Sequence, residues 1–108
     1  MNSREKGARG ERELAEALRS YGFDAHRGMQ FKGGEDSPDV VCFDDVHIEC
    51  KRVEALNIDK AMEQAQRDCG GKIPAVFHRK NKKPWKVTML LEDWIELYKR
   101  AKQWKEKA

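Results

Sequence analysis

Apolar residues recur at helical spacing in three segments of the chain. Residues three or four positions apart lie on one face of an α-helix, so this spacing predicts amphipathic helices. The predicted helices cover residues 10–21, 58–69 and 91–105. Gly22 suits the end of the first helix, because glycine readily adopts the left-handed backbone that often follows a helix. The last helix is predicted to turn five residues inward: Leu91, Trp94, Ile95, Tyr98 and Ala101.

Between these helices lie short runs rich in β-branched and aromatic residues, which are typical of strands. The predicted strands cover residues 23–27, 39–43, 46–53, 73–78 and 85–90. A turn at Asp44 and Asp45 makes the second and third of these strands an antiparallel hairpin. The order of elements predicts an α/β fold, or α+β by stricter naming, in which a small mixed central β-sheet is flanked by helices.

Length and composition indicate a single domain over residues 1–108. Hydrophobic residues make up 39% of the chain and charged residues 38%, which suits a globular protein with a heavily charged surface. Residues 1–9 are polar and basic and are predicted to form a flexible arm. No apolar run approaches the roughly 18–20 residues of a membrane helix, so we expect no membrane partner. The three widely spaced cysteines favour free thiols in a reducing cytoplasm.

The residues that indicate a catalytic function most clearly are Asp39, Glu49 and Lys51. Asp39 begins one predicted strand, and Glu49 and Lys51 lie on the same side of the next. In an antiparallel hairpin the two carboxylates can converge. Mg²⁺ prefers carboxylate oxygens, and a divalent cation can activate water against phosphate. The pattern therefore predicts a metal-dependent nuclease, in which Lys51 holds the water or stabilises the transition-state oxyanion.

Further metal ligands are predicted from neighbouring positions. Glu11 shares the apolar stripe of the first helix, where an unpaired carboxylate is costly to bury. A metal would remove that cost, although the helix dipole also favours a solvated acid in a first turn. Cys50 can add its backbone carbonyl. Glu35 and Asp36 are alternatives to Asp39, but a glycine-containing loop positions them poorly, so Asp39 is preferred.

Other polar residues near the predicted hairpin have two interpretations each. Gln64 and Gln66 lie on the second predicted helix, and Gln64 either supports the site or is a solvated residue. His47 shares the polar face of Glu49, but a solvated histidine is the simpler interpretation, since the motif does not require it. Glu13 lies off the apolar stripe and is expected to be exposed.

Basic residues crowd the first dozen positions, residues 79–86 and the C-terminal part, although the net charge is only +3. Such residues bind backbone phosphates without reading sequence. The predicted DNA contacts are Arg4, Lys6, Arg9, Arg12, Arg27, Lys32, Arg52, Arg79, Lys80, Lys82 and Lys83. The basic run at 99–107 is expected to solvate the last helix. Three tryptophans are expected in the core or at a dimer interface: Trp85, Trp94 and Trp104.

Together these motifs resemble the PD-(D/E)XK nuclease superfamily, and most closely its archaeal and phage-type Holliday junction resolvases. The resemblance covers about half of the chain, at residues 6–14, 21–23, 38–41 and 48–52. The first of these segments is a basic, glycine-containing stretch that runs into the helix of Glu11. The last two contain Asp39 and the Glu49-Cys50-Lys51 motif.

The resemblance implies a restriction-endonuclease-like fold and a homodimer with two Mg²⁺-dependent sites, in which Mn²⁺ would substitute. Such a dimer would nick symmetric strands of a four-way DNA junction. Glu11, Asp39 and Glu49 would hold the metal, and Lys51 would be the catalytic lysine. No small-molecule cofactor is implied, and the expected location is the cytoplasm of a prokaryotic cell or a phage-infected host.

Two alternatives remain open at this point. A nicking or restriction-type nuclease acting on duplex or flap DNA would share every catalytic residue. A catalytically inactive DNA-binding module belongs to a different class. The presence of Glu11, Asp39, Glu49 and Lys51 argues against it, because a binding module needs no metal cluster.

Overall fold

The structure, a computed structural model, describes residues 3–28 and 38–107. Within these ranges three helices are present: α1 (Ser3–Ser20), α2 (Ile58–Asp68) and α3 (Leu91–Lys107). The strands are β1 (His26–Arg27), β2 (Val40–Val41), β3 (Val46–Arg52), β4 (Ile73–Arg79) and β5 (Lys86–Met89). Among the described helices, none combines the length and the apolar composition that crossing a membrane requires.

The strands form one mixed sheet whose spatial order, β1-β2-β3-β4-β5, follows the chain. β3 and β4 are parallel, and the other neighbouring pairs are antiparallel. A parallel pair needs a crossover connection, which α2 provides between β3 and β4. The predicted mixed sheet with flanking helices is therefore confirmed, and the predicted hairpin is present as β2 and β3.

Each face of the sheet has its own apolar core. The core beneath α1 contains Leu14, Ala15, Leu18, Ala25, Val40, Ile48, Ala75 and Phe77. The core beneath α2 contains Ala61, Met62, Ala65 and Val76. Because successive strand residues point to opposite faces, β3 turns Ile48 towards α1 and turns His47, Glu49 and Lys51 towards the α2 side.

The C-terminus of α1 confirms the predicted glycine cap. Gly22 has a positive φ of 96°, which residues with a side chain rarely adopt. Its N–H donates to the Arg19 carbonyl at 2.9 Å, and the Phe23 N–H donates to the Leu18 carbonyl at 3.3 Å. These two bonds form a Schellman motif, which ends the helix and turns the chain towards β1.

The prediction of a flexible arm is wrong for residues 3–9. These residues are the first part of α1, seven residues before the predicted helix start. Glu5 in the first turn favours a helix N-terminus through the helix dipole. The segment lacks apolar periodicity, so the pattern that predicted the rest of α1 gave no indication there.

The prediction that α3 turns its apolar stripe inward is also wrong. α3 buries none of its residues, and Leu91 and Tyr98 are 74% and 57% exposed. The helix instead turns Leu97 towards β5 and ties Arg100 Nη1 to Asp45 Oδ2 at 2.6 Å. The physical reason is that α1 already covers the centre of the sheet, so α3 lies beside the edge strand.

The three tryptophans divide between core and surface. Trp85 is half-buried and packs against the α1 core, as predicted. Trp94 and Trp104 are 50% and 75% exposed, so neither belongs to the core. Trp94 stacks on Tyr98, with ring centroids 5.4 Å apart.

Candidate active site

The β2–β3 hairpin places Asp39 beside the strand that carries Glu49. Asp39 immediately precedes β2, and its N–H donates to the Ile48 carbonyl at 2.9 Å. Its Oδ2 accepts a hydrogen bond from the backbone N–H of Cys50 at 2.8 Å. The backbone and the side chain of Asp39 are thus both hydrogen-bonded to β3, on either side of Glu49. These bonds hold the Asp39 carboxylate close to Glu49.

Glu49 is almost fully buried beside Asp39, with 3% of its surface exposed. Burial is the main cause that raises the pKa of Glu49 to about 8. The negative charge of Asp39 and a hydrogen bond between the two carboxyl groups raise the Glu49 pKa further, whereas Lys51 lowers it. Two close carboxylates resist ionising together in a buried site. A cation bound between them would offset that repulsion.

Lys51 extends along the α2 side of the site. Its Nζ lies 3.7 Å from Glu49 Oε2 and donates to Gln64 Oε1 at 3.2 Å. This contact agrees with the interpretation that Gln64 faces the site and does not agree with a solvated Gln64. Gln66 on the same helix is exposed. Gln64 therefore fixes the lysine ammonium close to the Glu49 carboxylate.

The expectation that His47 is solvated is wrong. His47 is 1% exposed, and its Nε2 lies 4.0 Å from Glu49 Oε1. The reason is that α2 covers the face of β3 on which His47 and Glu49 lie. Alternation showed that the two residues share a face, but it did not show that a helix covers it.

Glu11 lies on the buried stripe of α1 and is 7% exposed. Its Oε1 accepts a hydrogen bond from Arg27 Nε at 3.0 Å. Burial raises the pKa of Glu11, the bond from Arg27 lowers it, and the charge of Asp39 raises it. Glu11 is therefore within electrostatic reach of Asp39, and Arg27 of β1 holds it at the edge of the site.

The chemistry of these donors fits a hard divalent cation. Glu11, Asp39 and Glu49 offer carboxylate oxygens, which Mg²⁺ prefers. Burial raises the pKa values of Glu11 and Glu49 and so disfavours their charged forms, which a bound cation would stabilise. Within residues 3–28 and 38–107, however, no group of three or more His, Cys, Asp or Glu side chains forms a preassembled metal site. Burial also raises the pKa of the Cys50 thiol, which favours its protonated form and leaves its carbonyl as the predicted ligand.

The residues predicted to contact DNA fall into three groups. Lys6, Arg9 and Arg12 are exposed along α1, and the β4–β5 loop exposes Lys80, Lys82 and Lys83. Arg27, Arg52 and Arg79 are instead held in ion pairs with glutamates. The Arg4 side chain and the whole of Lys32, Glu35 and Asp36 lie outside the described residues.

Glu13 is a polar residue that the sequence pattern placed wrongly. Its position off the apolar stripe predicts an exposed side chain, but its Oε1 accepts hydrogen bonds from Arg52 Nε at 3.1 Å and Arg79 Nη1 at 2.6 Å. The three residues are far apart in sequence, and only the packing of α1 against β3 and β4 brings them together. No local pattern marks such a contact.

A groove lies near the site, at the C-terminal end of β4. It has a volume of about 860 Å³ and lies between the loop before α2 and the β4–β5 loop. His78 lines it and pairs in register with Lys51, so the groove begins one strand away from the lysine. Four cations also line it: Arg79, Lys80, Lys83 and Lys86. Glu54 is an acidic residue of the same lining, but the four cations outnumber it, so the groove has a net positive charge and is cationic.

A family model matches almost the whole chain. The family model described as "Phage putative PDDEXK endonuclease" matches residues 2–107. The chain belongs to this phage PDDEXK endonuclease family. It is accordingly a nuclease of the PDDEXK type, and the resemblance expected from its motifs is confirmed.

A solved structure supports the same placement of this PDDEXK nuclease. The chain is similar to Archaeoglobus fulgidus Hjc, a Holliday junction resolvase from an archaeal hyperthermophile, with 27% sequence identity and a TM-score of 0.56. The similarity covers 78% of this chain and 72% of Hjc. The mixed sheet of the PDDEXK nuclease is thus of the restriction-endonuclease-like kind. A search of curated proteins gave no significant match.

Proposed function

We propose that this PDDEXK nuclease is a Mg²⁺-dependent, structure-selective DNA endonuclease that makes paired, symmetric nicks in four-way DNA junctions. The observation that carries the proposal is the pair of carboxylates formed by the half-buried Asp39 and the buried Glu49, with the Lys51 ammonium 3.7 Å from Glu49. Such a set is suited to phosphodiester hydrolysis. The similarity to a Holliday junction resolvase supports the choice of substrate.

Glu11, Asp39 and Glu49 would hold Mg²⁺ together with the carbonyl of Cys50, and Mn²⁺ would substitute because it accepts the same oxygen ligands. When bound, the metal neutralises charge on the scissile phosphate and makes a water more acidic. The protein contributes the positions of these groups. The hydrogen bond from the Cys50 N–H holds Asp39, and the bond from Arg27 holds Glu11.

Lys51 would act on the oxygens that gain charge during hydrolysis, or would hold the attacking water. Its Nζ already has one carboxylate neighbour and one amide partner, Glu49 and Gln64. These contacts fix the ammonium in place before DNA binds. A preorganised cation stabilises a developing negative charge more effectively than one that must reorient.

The cationic groove beside Lys51 would receive the DNA backbone on one side of the scissile phosphate. Arg79, Lys80, Lys83 and Lys86 line it, and Lys82 is exposed in the same loop. On the other side, Lys6, Arg9 and Arg12 of α1 would contact the backbone. Phosphate contacts of this kind bind without sequence preference, which suits an enzyme that recognises the shape of its substrate.

Two copies of the chain would act together, because one site cuts one strand. α3 offers an unpartnered surface for a second copy: its apolar residues Leu91, Trp94, Ile95 and Tyr98 are all exposed. The charges of its first half are Glu92, Asp93 and Glu96. Its second half has a net positive charge from five basic residues and Glu106: Lys99, Arg100, Lys102, Lys105 and Lys107 are basic. Antiparallel pairing of two α3 helices about a twofold axis would place each acidic half against a basic half.

The proposed location is the cytoplasm of a prokaryotic cell or a phage-infected host, where branched DNA would be the substrate. The free cysteines Cys42, Cys50 and Cys69 fit a reducing compartment. Their thiols are not part of the proposed mechanism.

The experiment that tests the substrate compares labelled four-way junction, linear duplex and flap DNA in Mg²⁺ and in EDTA. We expect Mg²⁺-dependent, symmetric nicks in the junction and much slower cutting of the other two substrates. Equal rates on junction and duplex would contradict resolvase activity and favour a nicking or restriction-type nuclease. Binding without cleavage of any substrate would favour an inactive DNA-binding module.

A further inference from the structure

Glu13 joins two arginines on the α1 side of the sheet. Arg52 and Arg79 are cross-strand neighbours in the parallel pair of β3 and β4. Their guanidinium groups both donate to Glu13 Oε1, at 3.1 and 2.6 Å. The side chains of all three residues are partly buried, with 34% of Glu13, 21% of Arg52 and 29% of Arg79 exposed. Two like charges that would repel each other are thus held side by side by one carboxylate.

α1 has a glycine at the point where it packs against Arg52. Gly10 lies one turn before Glu13, on the same face of α1, and is buried. A Cβ atom at Gly10 would lie 2.6 Å from Arg52 Cβ, which is too close for any side chain. Glycine therefore lets α1 lie directly on Arg52, so that Glu13 reaches its Nε. The other side of Arg79 is fixed by a bond from its Nε to the Lys83 carbonyl at 2.6 Å.

A small basic cavity opens beside the two arginines. It has a volume of about 370 Å³ and is lined by Lys6, Arg9, Gly10, Glu13, Arg52 and Asn81. Arg52 Nη2 donates to Asn81 Oδ1 at 3.4 Å, and Arg52 Nη1 lies 3.6 Å from Glu54 Oε2. Counting Arg79, four cations and two carboxylates surround the cavity, so its net charge is positive.

The cavity adjoins the proposed catalytic site along the chain. Arg52 directly follows Lys51, and Gly10 directly precedes Glu11. Arg52 points to the α1 face and Lys51 to the α2 face. The cavity and the cationic groove nevertheless meet at the C-terminal ends of β3 and β4, where Arg79 and Glu54 line the groove and contact the cavity residues Glu13 and Arg52. A DNA strand that lies in the groove and passes the ends of these two strands would bring a backbone phosphate to Arg52 and Arg79.

We propose that Glu13, Arg52 and Arg79 form a phosphate clamp for the DNA backbone next to the cut, in which Glu13 is a positioning residue. The proposal rests on the function proposed above. Guanidinium groups bind phosphate oxygens through paired N–H donors, and fixing them beforehand lowers the entropy lost on binding. Glu13 carries the wrong charge to bind DNA itself, so its contribution acts entirely through the two arginines.

If Glu13 positions the two arginines, removing its charge should change the DNA affinity in the direction opposite to the one that net charge alone predicts. Removing a carboxylate from a basic DNA-binding surface normally strengthens DNA binding, because net positive charge increases. If Glu13 positions the clamp, Glu13→Gln weakens junction binding by about three- to tenfold instead, since both arginines lose their orientation. Glu16→Gln removes the same charge from an exposed position of α1 and is the matched control. It should leave the affinity unchanged or slightly increase it.

The test measures the affinity of each variant for a labelled synthetic four-way junction in EDTA, where cleavage does not interfere. Initial rates in Mg²⁺ then show whether the loss lies mainly in KM, as a binding clamp requires. Thermal unfolding checks that Glu13→Gln remains folded. If it does not, Arg79→Lys provides a second test, because it keeps the charge and removes the guanidinium fork. It should also weaken binding by at least about threefold.

The outcomes separate the clamp from the proposed function. Unchanged or tighter binding by Glu13→Gln, or wild-type affinity of Arg79→Lys, overturns the clamp even if the wild-type protein cuts junctions. A wild-type protein that never cuts overturns the proposed function, and the clamp still stands if Glu13→Gln alone weakens DNA binding. A wild-type protein that neither binds nor cuts DNA overturns both.

Discussion

Asp39 Oδ2 accepts a hydrogen bond from the backbone N–H of Cys50 at 2.8 Å. This bond attaches the first carboxylate of the site to the strand that carries the second, immediately beside Glu49. The two carboxyl groups are therefore held together by backbone geometry, and their mutual repulsion is part of the folded state. That repulsion has consequences for pH dependence, for metal binding and for catalysis.

Burial of Glu49, together with the charge of Asp39, makes the metal-free protein less stable as the pH rises. The pKa of Glu49 is about 8 in the folded protein, against an ordinary value of 4.5. Between these values the folded state binds more protons than the unfolded state, so the free energy of unfolding falls as pH increases. The decrease ends above about pH 8, where both states are ionised.

Chemical unfolding in EDTA at several pH values measures this effect. We expect Glu49→Gln to lack the decrease between pH 5 and 8, and to be more stable than the wild type at pH 8 by at least about 1 kcal/mol. Glu16→Gln, which changes an exposed acid, is the control. An equally steep pH dependence in Glu49→Gln and wild type would contradict the assignment of the raised pKa to Glu49.

Gln64 is expected to support catalysis by holding Lys51. Gln64→Ala removes the acceptor 3.2 Å from the Lys51 Nζ and should lower the single-turnover cleavage rate about tenfold, while junction affinity changes little. Gln66→Ala, on the same helix but exposed, is the control. Single-turnover cleavage in Mg²⁺ measures the rate. Equal rates for the two variants would show that the contact between Gln64 and Lys51 has no catalytic role.

α3 is expected to hold the proposed dimer together. Leu91→Lys combined with Tyr98→Lys places two charges on residues that are 74% and 57% exposed, so the monomer should remain folded. Sedimentation velocity should show a wild-type dimer and a monomeric double variant, because the apolar surface between the copies is lost. Gln103→Lys lies on α3 away from this stripe and should remain dimeric. A dimeric double variant would exclude α3 as the interface.

Local sequence was informative wherever the structure depends on short-range geometry. The Schellman motif at Gly22 follows from one glycine after an amphipathic stripe. The β2–β3 hairpin follows from two strand-like runs around a turn, and alternation along β3 correctly put Glu49 and Lys51 on one face. These features made the motif recognisable because each depends on residues that are close in the chain.

The remaining features depend on contacts between distant segments. His47 is buried because α2 covers its strand, and Glu13 is bonded because α1 crosses the ends of β3 and β4. The apolar stripe of α3 has helical spacing, which does not reveal whether its partner belongs to the same chain. A periodic pattern identifies a face to be covered, and only the packed structure identifies what covers it.

If Asp39 and Glu49 form the metal-dependent site of a junction-cutting nuclease, the charge of Asp39 is essential for cleavage. Asp39→Asn keeps the size of the side chain and an oxygen that can accept the Cys50 hydrogen bond, but it removes the charge. Asp44→Asn, at an exposed turn of the same hairpin, is the matched control.

The decisive measurement is single-turnover cleavage of a labelled four-way junction in Mg²⁺ by wild type, Asp39→Asn and Asp44→Asn, with junction affinity measured in parallel in EDTA. We expect Asp39→Asn to bind the junction at near wild-type affinity and to make no Mg²⁺-dependent nick, while Asp44→Asn should behave as wild type. Cleavage by Asp39→Asn at the wild-type rate would contradict the site assignment.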